Sequence, residues 1–217
     1  MKIAVSYLGV KNKTSFIKEI DKTDVDFIHV DVMDGKYVKK KVNSFKEVKT
    51  ISSLTQKRLD VHFMVSKPLK YIDDFANLNV SYMSFHLDTK NNIEEIINKT
   101  KLYGIKVGIV LNPDDSIEKV IPYLDKIDLV LIMTVTPGES GQTLIESIIP
   151  KIFALKKQIK EKGLNVLVSA DGGINVSNNY MLKGCDILVC GSSISNSSNY
   201  QETINELREI WQMFKNI

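Results

Sequence analysis

The chain has 217 residues, 43% of them hydrophobic, and its 29 basic and 26 acidic side chains give a net charge of only +3. This balance is typical of a globular domain with a substantial core, and no nucleic-acid partner is expected. No apolar run approaches the ~20 residues of a membrane span, and the N-terminus shows no signal-peptide pattern, so no membrane partner and a cytoplasmic location are expected. Cys185 and Cys190, the only cysteines, are expected as buried thiols.

Eight short runs rich in Val, Ile and Leu recur along the chain and are typical of buried β-strands. The predicted strands are residues 3–8, 26–32, 59–65, 80–86, 106–111, 129–135, 165–170 and 186–190. Amphipathic stretches with apolar side chains every three to four residues separate these runs. The predicted helices are residues 14–20, 44–54, 68–78, 93–102, 116–124, 143–162, 176–183 and 201–214.

Strict alternation of eight strands with eight helices requires a parallel sheet with helical crossovers. Eight such units in a chain of this length match the size of a closed (β/α)8 TIM barrel. An open, doubly wound sheet also alternates, but it usually has fewer strands, and no G-x-G-x-x-G follows the first strand here. No linker divides the chain, so residues 1–217 are predicted to form one α/β domain, a single (β/α)8 barrel.

Polar residues cluster at the predicted carboxyl ends of the strands, where barrels of this kind carry their chemistry. His29 and Asp31 lie two residues apart in one strand and should project side by side. Taken alone, such a pair is more often a strand cap than a site. His62 and His86 end the third and fourth strands, so all three histidines lie on one rim. This rim is therefore predicted to be a functional site.

His29, Asp31, His62 and Asp171 should converge on this rim, and they form a metal-ligand set. Imidazole nitrogen and carboxylate oxygen suit Zn, Mn, Fe or Co, and the lack of thiolates argues against a purely structural zinc site. His86 is left outside the set, as a contact to a ligand residue or to the substrate. Three methionines near the rim are either core residues or a polarisable lining for a planar anionic intermediate: Met33, Met64 and Met133.

Two glycine turns follow the seventh and eighth predicted strands: Gly172 and Gly173 after Asp171, and Gly191 before Ser192. Each could be a simple tight turn, but glycine also lets backbone N–H groups approach an anion closely. Loops after strands seven and eight commonly form a phosphate site in this fold, so the two turns together favour a phosphate ligand. Residues 136–142 are predicted to form a mobile loop that closes over that ligand.

Seven segments resemble, in order, the successive motifs of the ribulose-phosphate 3-epimerase family. They are residues 29–35 (HVDVMDG), 60–65 (DVHFMV), 84–86 (SFH), 111–113 (LNP), 133–138 (MTVTPG), 171–173 (DGG) and 191–192 (GS). Each motif alone is weak, whereas seven in order are specific. The resemblance implies a barrel of the ribulose-phosphate-binding type. It also implies an isomerase of the pentose phosphate pathway that interconverts D-ribulose 5-phosphate and D-xylulose 5-phosphate.

The resemblance further implies roles for individual residues. His29, Asp31, His62 and Asp171 would hold one divalent ion (Zn, Fe, Mn or Co), and Asp31 and Asp171 would also be the catalytic pair that moves the C3 proton through an enediolate. Many members of the family are oligomers, but no interface is legible in this sequence. The sugar phosphate would contact a further set of residues: Ser6, His62, Gly138, Glu139, Ser140, Gly141, Gly172, Gly173, Gly191 and Ser192.

Three segments depart from the pattern of that family. Lys-Lys stands at residues 39–40 in place of Pro-Asn, Glu-Ser at 139–140 in place of Phe-Gly, and Gly-Val-Lys at 9–11 in place of Ser-Ala-Asp. Glu139 adds a negative charge near the predicted phosphate unless it points outward. The departures leave other activities open: a 3-epimerase of hexulose 6-phosphates such as allulose 6-phosphate, a catalytically weak sugar-phosphate-binding barrel and, from the ligands alone, a metal-dependent hydrolase.

Overall fold

The computed structural model describes the backbone of residues 1–213 and the side chains of residues 1–209. Eight parallel strands form the centre of the molecule, and all eight correspond to predicted strands. Two of them, Val80–His86 and Lys106–Leu111, have the predicted bounds. The strands are β1 (Lys2–Ser6), β2 (Phe27–Asp34), β3 (Arg58–Met64), β4 (Val80–His86), β5 (Lys106–Leu111), β6 (Leu129–Met133), β7 (Leu167–Asp171) and β8 (Ile187–Cys190).

The sheet closes on itself. Each strand pairs with the next one in the chain, and β1 pairs in parallel with both β2 and β8. Closure removes the unpaired edges that an open sheet would expose. The molecule is therefore a (β/α)8 TIM barrel, as the alternation predicts. One extra two-residue strand, Lys41–Val42, pairs antiparallel with the end of β2.

Seven α-helices surround the barrel within residues 1–213. The one over residues 93–102 has the predicted bounds, whereas the short helix after β8 was not predicted. The last predicted helix extended to Phe214, which lies outside the described residues. Asn12, Ser44 and Asn92 each cap a helix by accepting a hydrogen bond from a backbone N–H of its first turn. The helices are α1 (Lys13–Asp21), α2 (Phe45–Ser52), α3 (Ile72–Ala76), α4 (Ile93–Leu102), α5 (Ile149–Glu161), α6 (Ser192–Ser195) and α7 (Tyr200–Met213).

The prediction of an α-helix over residues 116–124 is wrong. This connection consists of two 3-10 segments, Ile117–Lys119 and Ile121–Lys126. Pro122 lacks an N–H donor and disfavours the helical conformation of the residue before it, which explains the interruption. Two further predicted helices, over residues 68–78 and 143–162, contain 3-10 turns before their α-helices, at Pro68–Lys70 and Glu146–Ile148.

The predicted helix over residues 176–183 is also wrong, because only a 3-10 segment, Asn179–Leu182, forms there. The side chain of Asn178 donates to the Gly173 carbonyl and accepts from the backbone N–H of Asn175. Side-chain bonds of this kind offer the backbone an alternative to the helix. The apolar spacing that predicted a helix here marks a buried face of an irregular connection.

Apolar side chains pack on both faces of the barrel wall. Those that point outward meet the helices in one large cluster, which includes Ile28 and Val30. Those that point inward form a smaller cluster, which includes Ala4, Phe27 and Leu131. Because alternate residues of a strand share a face, the residues two and four positions after Phe27 also point inward. The interior is therefore apolar in one part and polar towards the carboxyl end.

Two expectations from composition can be compared with the structure. No helix among residues 1–213 combines the length and apolar character that crossing a bilayer requires. Cys185 and Cys190 are both buried free thiols, which confirms the prediction made from their apolar surroundings.

Candidate active site

The four predicted metal ligands converge inside the carboxyl end of the barrel. His29 and Asp31 belong to β2, His62 to β3 and Asp171 to β7. Pairing of β2 with β3 sets Asp31 directly opposite His62. One ligand atom from each of the four residues lies within 4.8 Å of all the others. The closed barrel thus brings together residues that are up to 142 positions apart in the chain, from His29 to Asp171.

The spacing of these ligand atoms matches that of a metal site. His29 Nε2 lies 3.4 Å from Asp31 Oδ1 and 3.5 Å from Asp171 Oδ2. His62 Nδ1 lies 3.2 Å and 3.7 Å from the same two oxygens. A tetrahedral ion with bonds of ~2.1 Å separates its ligands by about 3.4 Å. Donor type and spacing therefore both fit a divalent ion.

An unpaired buried atom points to the same conclusion. His29 Nε2 is buried and makes no hydrogen bond, whereas Nδ1 of the same ring lies 2.8 Å from Asp60 Oδ2. With its proton on Nδ1, this imidazole presents the Nε2 lone pair to the cluster. A buried polar atom without a partner is costly, and a bound ion would satisfy it. Carboxylates that hold the second ring nitrogen in this way orient metal-binding histidines.

The buried carboxylates make the cluster attractive to positive charge. Burial by itself lowers the pKa of His29, but Asp31 and Asp60 outweigh it and hold that pKa well above its usual range. Burial by itself raises the pKa of Asp31, but His29 and then His62 outweigh it, so that pKa lies well below its usual range. The same field that favours a proton on His29 would favour a metal cation in its place.

His86 contacts His62, one of the predicted ligands, and does not reach the cluster itself. Its Nε2 atom lies 2.8 Å from His62 Nε2. Burial, followed by the neighbouring His62, holds the pKa of His86 well below its usual range. A neutral His86 can accept the Nε2–H proton of His62, which leaves His62 Nδ1 free to bind an ion. Tyr37 packs against the His86 ring, with 4.6 Å between their centroids and 36° between their planes.

Asp60 is a site residue that reasoning from the sequence missed. It is 1% exposed, and its only hydrogen-bond partner among the described residues is His29. A signal was present, because Asp60 lies two positions before His62, and the other residues of that predicted strand, 59–65, are apolar. Residues two apart in a strand share a face, so a buried carboxylate at this position must meet a donor inside the barrel.

A cavity of about 270 Å³ lies at the mouth of the barrel. Asp31 and Asp171 line it, whereas His29 and His62 are completely buried and do not. Met64 and Met133 also line the cavity, but Met33 does not, so the methionine lining consists of two residues and not three. Nine of the residues predicted to contact a substrate line it: Ser6, Gly138, Glu139, Ser140, Gly141, Gly172, Gly173, Gly191 and Ser192.

The backbone geometry of the turn after β7 accounts for its two glycines, Gly172 and Gly173. Gly172 and Gly173 have φ angles of 122° and 68°. A Cβ atom on Gly173 would lie 2.3 Å from the backbone nitrogen of Leu144, so the turn itself requires glycine. Ser192, the first residue of α6, lies directly after Gly191 at the cavity. The first N–H groups of a helix lack intrahelical partners and can face an anion.

The segments that depart from the family's pattern contact one another. The side chain of Glu139 is 71% exposed, and its Oε1 atom lies 4.0 Å from Lys40 Nζ. A Cβ atom on Gly9 would lie 2.9 Å from Ser140 Oγ, so glycine leaves room for that hydroxyl. The charge that Glu139 introduces is therefore directed to solvent and partly balanced by Lys40.

Comparison with known proteins agrees with this geometry. The chain is 41% identical over 202 residues to a ribulose-phosphate 3-epimerase of Buchnera aphidicola, covering 89% of this chain and 87% of the relative. It is 36% identical to one of Bacillus subtilis, covering 88% and 90%. Among solved structures, 3-hexulose-6-phosphate synthase from Salmonella typhimurium superposes with a TM-score of 0.70 at 16% identity, covering 99% and 100%, which shows a shared fold. The sequence profile of the ribulose-phosphate 3 epimerase family matches residues 2–195, and the chain belongs to that family.

Proposed function

We propose that this protein is a metal-dependent isomerase that interconverts D-ribulose 5-phosphate and D-xylulose 5-phosphate by epimerisation at C3. One observation carries the proposal: Asp31 and Asp171 line the same cavity and share one cluster with His29 and His62. Membership of the family, with relatives named ribulose-phosphate 3-epimerase at 36–41% identity, supports this substrate.

Epimerisation next to a carbonyl needs a base on one face of the carbon and an acid on the other. Asp31 belongs to β2 and Asp171 to β7, so they approach the cavity from different sides of the barrel. In one direction the ionised Asp takes the C3 proton from one face, which leaves an enediolate. The other Asp, already protonated, then donates its own proton to the opposite face of C3. The two aspartates exchange roles in the reverse direction. Ser6 Oγ donates to Asp31 Oδ2 over 3.0 Å and so orients that carboxylate.

The residues that would hold the ion are His29, Asp31, His62 and Asp171, and Zn, Fe, Mn and Co all suit these donors. When bound, a divalent ion supplies positive charge that stabilises the negative charge developing on the substrate oxygens. Asp60 and His86 would keep the two imidazoles in the tautomers that binding requires. The burial of both imidazoles excludes water from the protein side of the cluster.

The phosphate group is assigned to the part of the cavity built by the loops after β7 and β8. Gly172, Gly173, Gly191 and Ser192 line that part, and glycine allows the backbone N–H groups to approach an anion closely. The loop of residues 138–141 lines the same cavity and is proposed to close over the sugar phosphate. His62 is fully buried and does not line the cavity, so it is proposed to hold the ion and not to contact the sugar phosphate directly.

Proton exchange at C3 tests the proposed function. Protein reconstituted with each divalent metal is incubated in D2O with ribulose 5-phosphate or with allulose 6-phosphate, and the deuterium at C3 is measured by NMR. We expect incorporation into the pentulose phosphate. Incorporation into allulose 6-phosphate alone would instead identify a hexulose-phosphate epimerase, and none in either would favour a barrel that only binds.

Substitution of the two aspartates tests their assigned roles. Asp31→Asn and Asp171→Asn should each reduce exchange by at least ~1,000-fold, since either change removes one of the two proton carriers. Asp73→Asn, in the exposed first turn of α3, is the matched control and should leave exchange unchanged. Near-normal exchange in either site variant would refute the two-aspartate mechanism.

A further inference from the structure

Asn43 has an unusual backbone and an unusual environment. It is the one residue other than glycine with a positive φ, 54°, in the part of the chain that the structure describes. The residue is 1% exposed, although Asn is mostly a surface residue. A left-handed residue buried in this way needs tertiary contacts that hold it. Asn43 lies between the strand Lys41–Val42 and the Ser44 cap of α2.

One hydrogen bond of the Asn43 side chain is to the backbone of a proposed catalytic residue. Its Nδ2 atom donates to the Asp31 carbonyl oxygen over 2.8 Å, and both residues are buried. The pairing of β2 explains why that carbonyl needs a donor. Strand β3 covers one edge of β2 from Phe27 to Met33.

The other edge of β2 is shared between two short partners. Strand β1 covers it only as far as His29, which lies opposite Ser6. The antiparallel strand Lys41–Val42 covers it again at Met33 and Asp34. Asp31 falls in the gap between these two ladders. The amide of Asn43 closes the gap, because the chain that has just run back along β2 places this side chain beside Asp31.

A second residue fixes the orientation of that amide. Lys13, the first residue of α1, donates from Nζ to Asn43 Oδ1 over 2.8 Å. An ammonium group can only donate, so it requires the oxygen of the amide and turns the NH2 group towards Asp31. Lys13, Asn43 and Asp31 therefore form one directed chain of hydrogen bonds from helix α1 to the end of β2.

We propose that Asn43 is a positioning residue for Asp31, and that it fixes the strand end from which this carboxylate reaches the ion and the substrate. The inference rests on the proposed function for the role of Asp31, but not for the hydrogen bond itself. Without the donor, Asp31 keeps its chemistry but loses part of its alignment. Small misalignment of a reacting group is sufficient to slow catalysis substantially.

Two substitutions separate positioning from mere structural support. Asn43→Asp keeps the size, tolerates positive φ and pairs with Lys13, but has no N–H to donate to Asp31. Asn43→Gly accepts positive φ without strain and removes the amide altogether. The matched control is Asn179→Ala, because buried Asn179 also donates to a backbone carbonyl, that of Leu207, over 2.6 Å. We expect this control to lower Tm and to keep kcat within twofold.

The measured quantities are kcat and KM for the exchange reaction, Tm, and the Co²⁺ dissociation constant from a competition titration. In both Asn43 variants we expect kcat to fall about 10- to 100-fold with KM within threefold, and Co²⁺ binding to weaken about tenfold. A kcat within threefold of the unsubstituted protein in both variants overturns the inference. If the unsubstituted protein exchanges neither sugar phosphate, the proposed function fails, and Co²⁺ binding decides alone: unchanged binding in both variants then overturns the role of Asn43.

Discussion

Replacement of Asp60 by Asn should weaken metal binding without dismantling the fold. Asp60 Oδ2 lies 2.8 Å from His29 Nδ1, and the two side chains are 2% and 0% exposed. The substitution changes one oxygen to nitrogen and preserves the volume, so no cavity forms. The amide oxygen can still accept the His29 proton, but the negative charge behind the imidazole is lost.

The magnitude follows from the type of hydrogen bond. A buried bond between a charged and a neutral group contributes about 1.5–3 kcal/mol, against about 1 kcal/mol for a neutral pair. The difference, about 0.5–2 kcal/mol, corresponds to roughly 2- to 30-fold in a dissociation constant. This range overlaps the 10- to 100-fold effect typical of residues that orient metal-binding histidines. We therefore expect Zn²⁺ to bind Asp60→Asn about 10- to 30-fold more weakly.

The assay is a competition titration with a chromophoric chelator at pH 7.5, combined with thermal unfolding of the metal-free protein. Asp128→Asn is the matched control. Asp128 lies just before β6, at the opposite end of the barrel, and its Oδ2 atom accepts a hydrogen bond from the backbone N–H of Val107 in β5. That variant should lose stability and bind Zn²⁺ normally. A Zn²⁺ dissociation constant within threefold of the unsubstituted value in Asp60→Asn would refute the assigned role of this carboxylate.

Three further predictions concern stability. Burial raises the pKa of Asp34, but hydrogen bonds from Tyr37, Ser66 and Lys36 outweigh it and hold that pKa below its usual 3.8. The ionised carboxylate therefore stabilises the fold fully above that pH, and this stabilisation is lost as pH falls through the folded-state pKa. Asp34→Asn should therefore cost about 1–3 kcal/mol in urea unfolding at pH 7 and progressively less as the pH falls below about 4, and a difference that stays constant with falling pH would contradict this. Gly173→Ala should destabilise the fold by about 2–4 kcal/mol, because the added Cβ atom would clash with the backbone of Leu144. The control Gly163→Ala has a similar φ but open space around it, and should cost about 1 kcal/mol. Equal losses of Tm in the two variants would exclude the steric explanation. Zn²⁺ at 1,000 times its dissociation constant should stabilise the fold by about 4 kcal/mol, and a Tm unchanged by excess EDTA would argue against a bound ion.

The barrel could be predicted from the sequence because its strands are short and mostly apolar. Burial on both faces gives near-continuous runs of Val, Ile and Leu, and these mark parallel strands clearly. The helical connections were less predictable. At residues 116–124 and 176–183 apolar spacing indicates a buried face, but Pro122 and the asparagine side chains prevent the α-helix. The spacing of apolar residues indicates which positions are buried, but it does not indicate which backbone hydrogen bonds can form.

The metal-ligand set could be proposed from the sequence because strand ends and residue types together limit the choices. Asp60 and Asn43 could not be placed in the same way. The role of Asp60 depends on the register that sets it opposite His29, and the role of Asn43 depends on where β1 ends relative to β2. The register between two strands is set by their pairing in the closed barrel, so it cannot be predicted from the sequence of either strand alone.

The distribution of charge inside the barrel explains why this site is separable from the stability of the fold. Three carboxylates and three imidazoles occupy the carboxyl end of the interior, while an apolar cluster fills other inward positions and a larger one lies between strands and helices. Replacing a buried ionic cluster by apolar residues of similar volume is often neutral or stabilising, whereas removing one member leaves an unpaired buried charge. The cluster is therefore not what holds the barrel together. A bound cation would compensate the carboxylates of the cluster, in agreement with the proposed epimerase chemistry, in which Asp31 and Asp171 hold the ion and carry the proton.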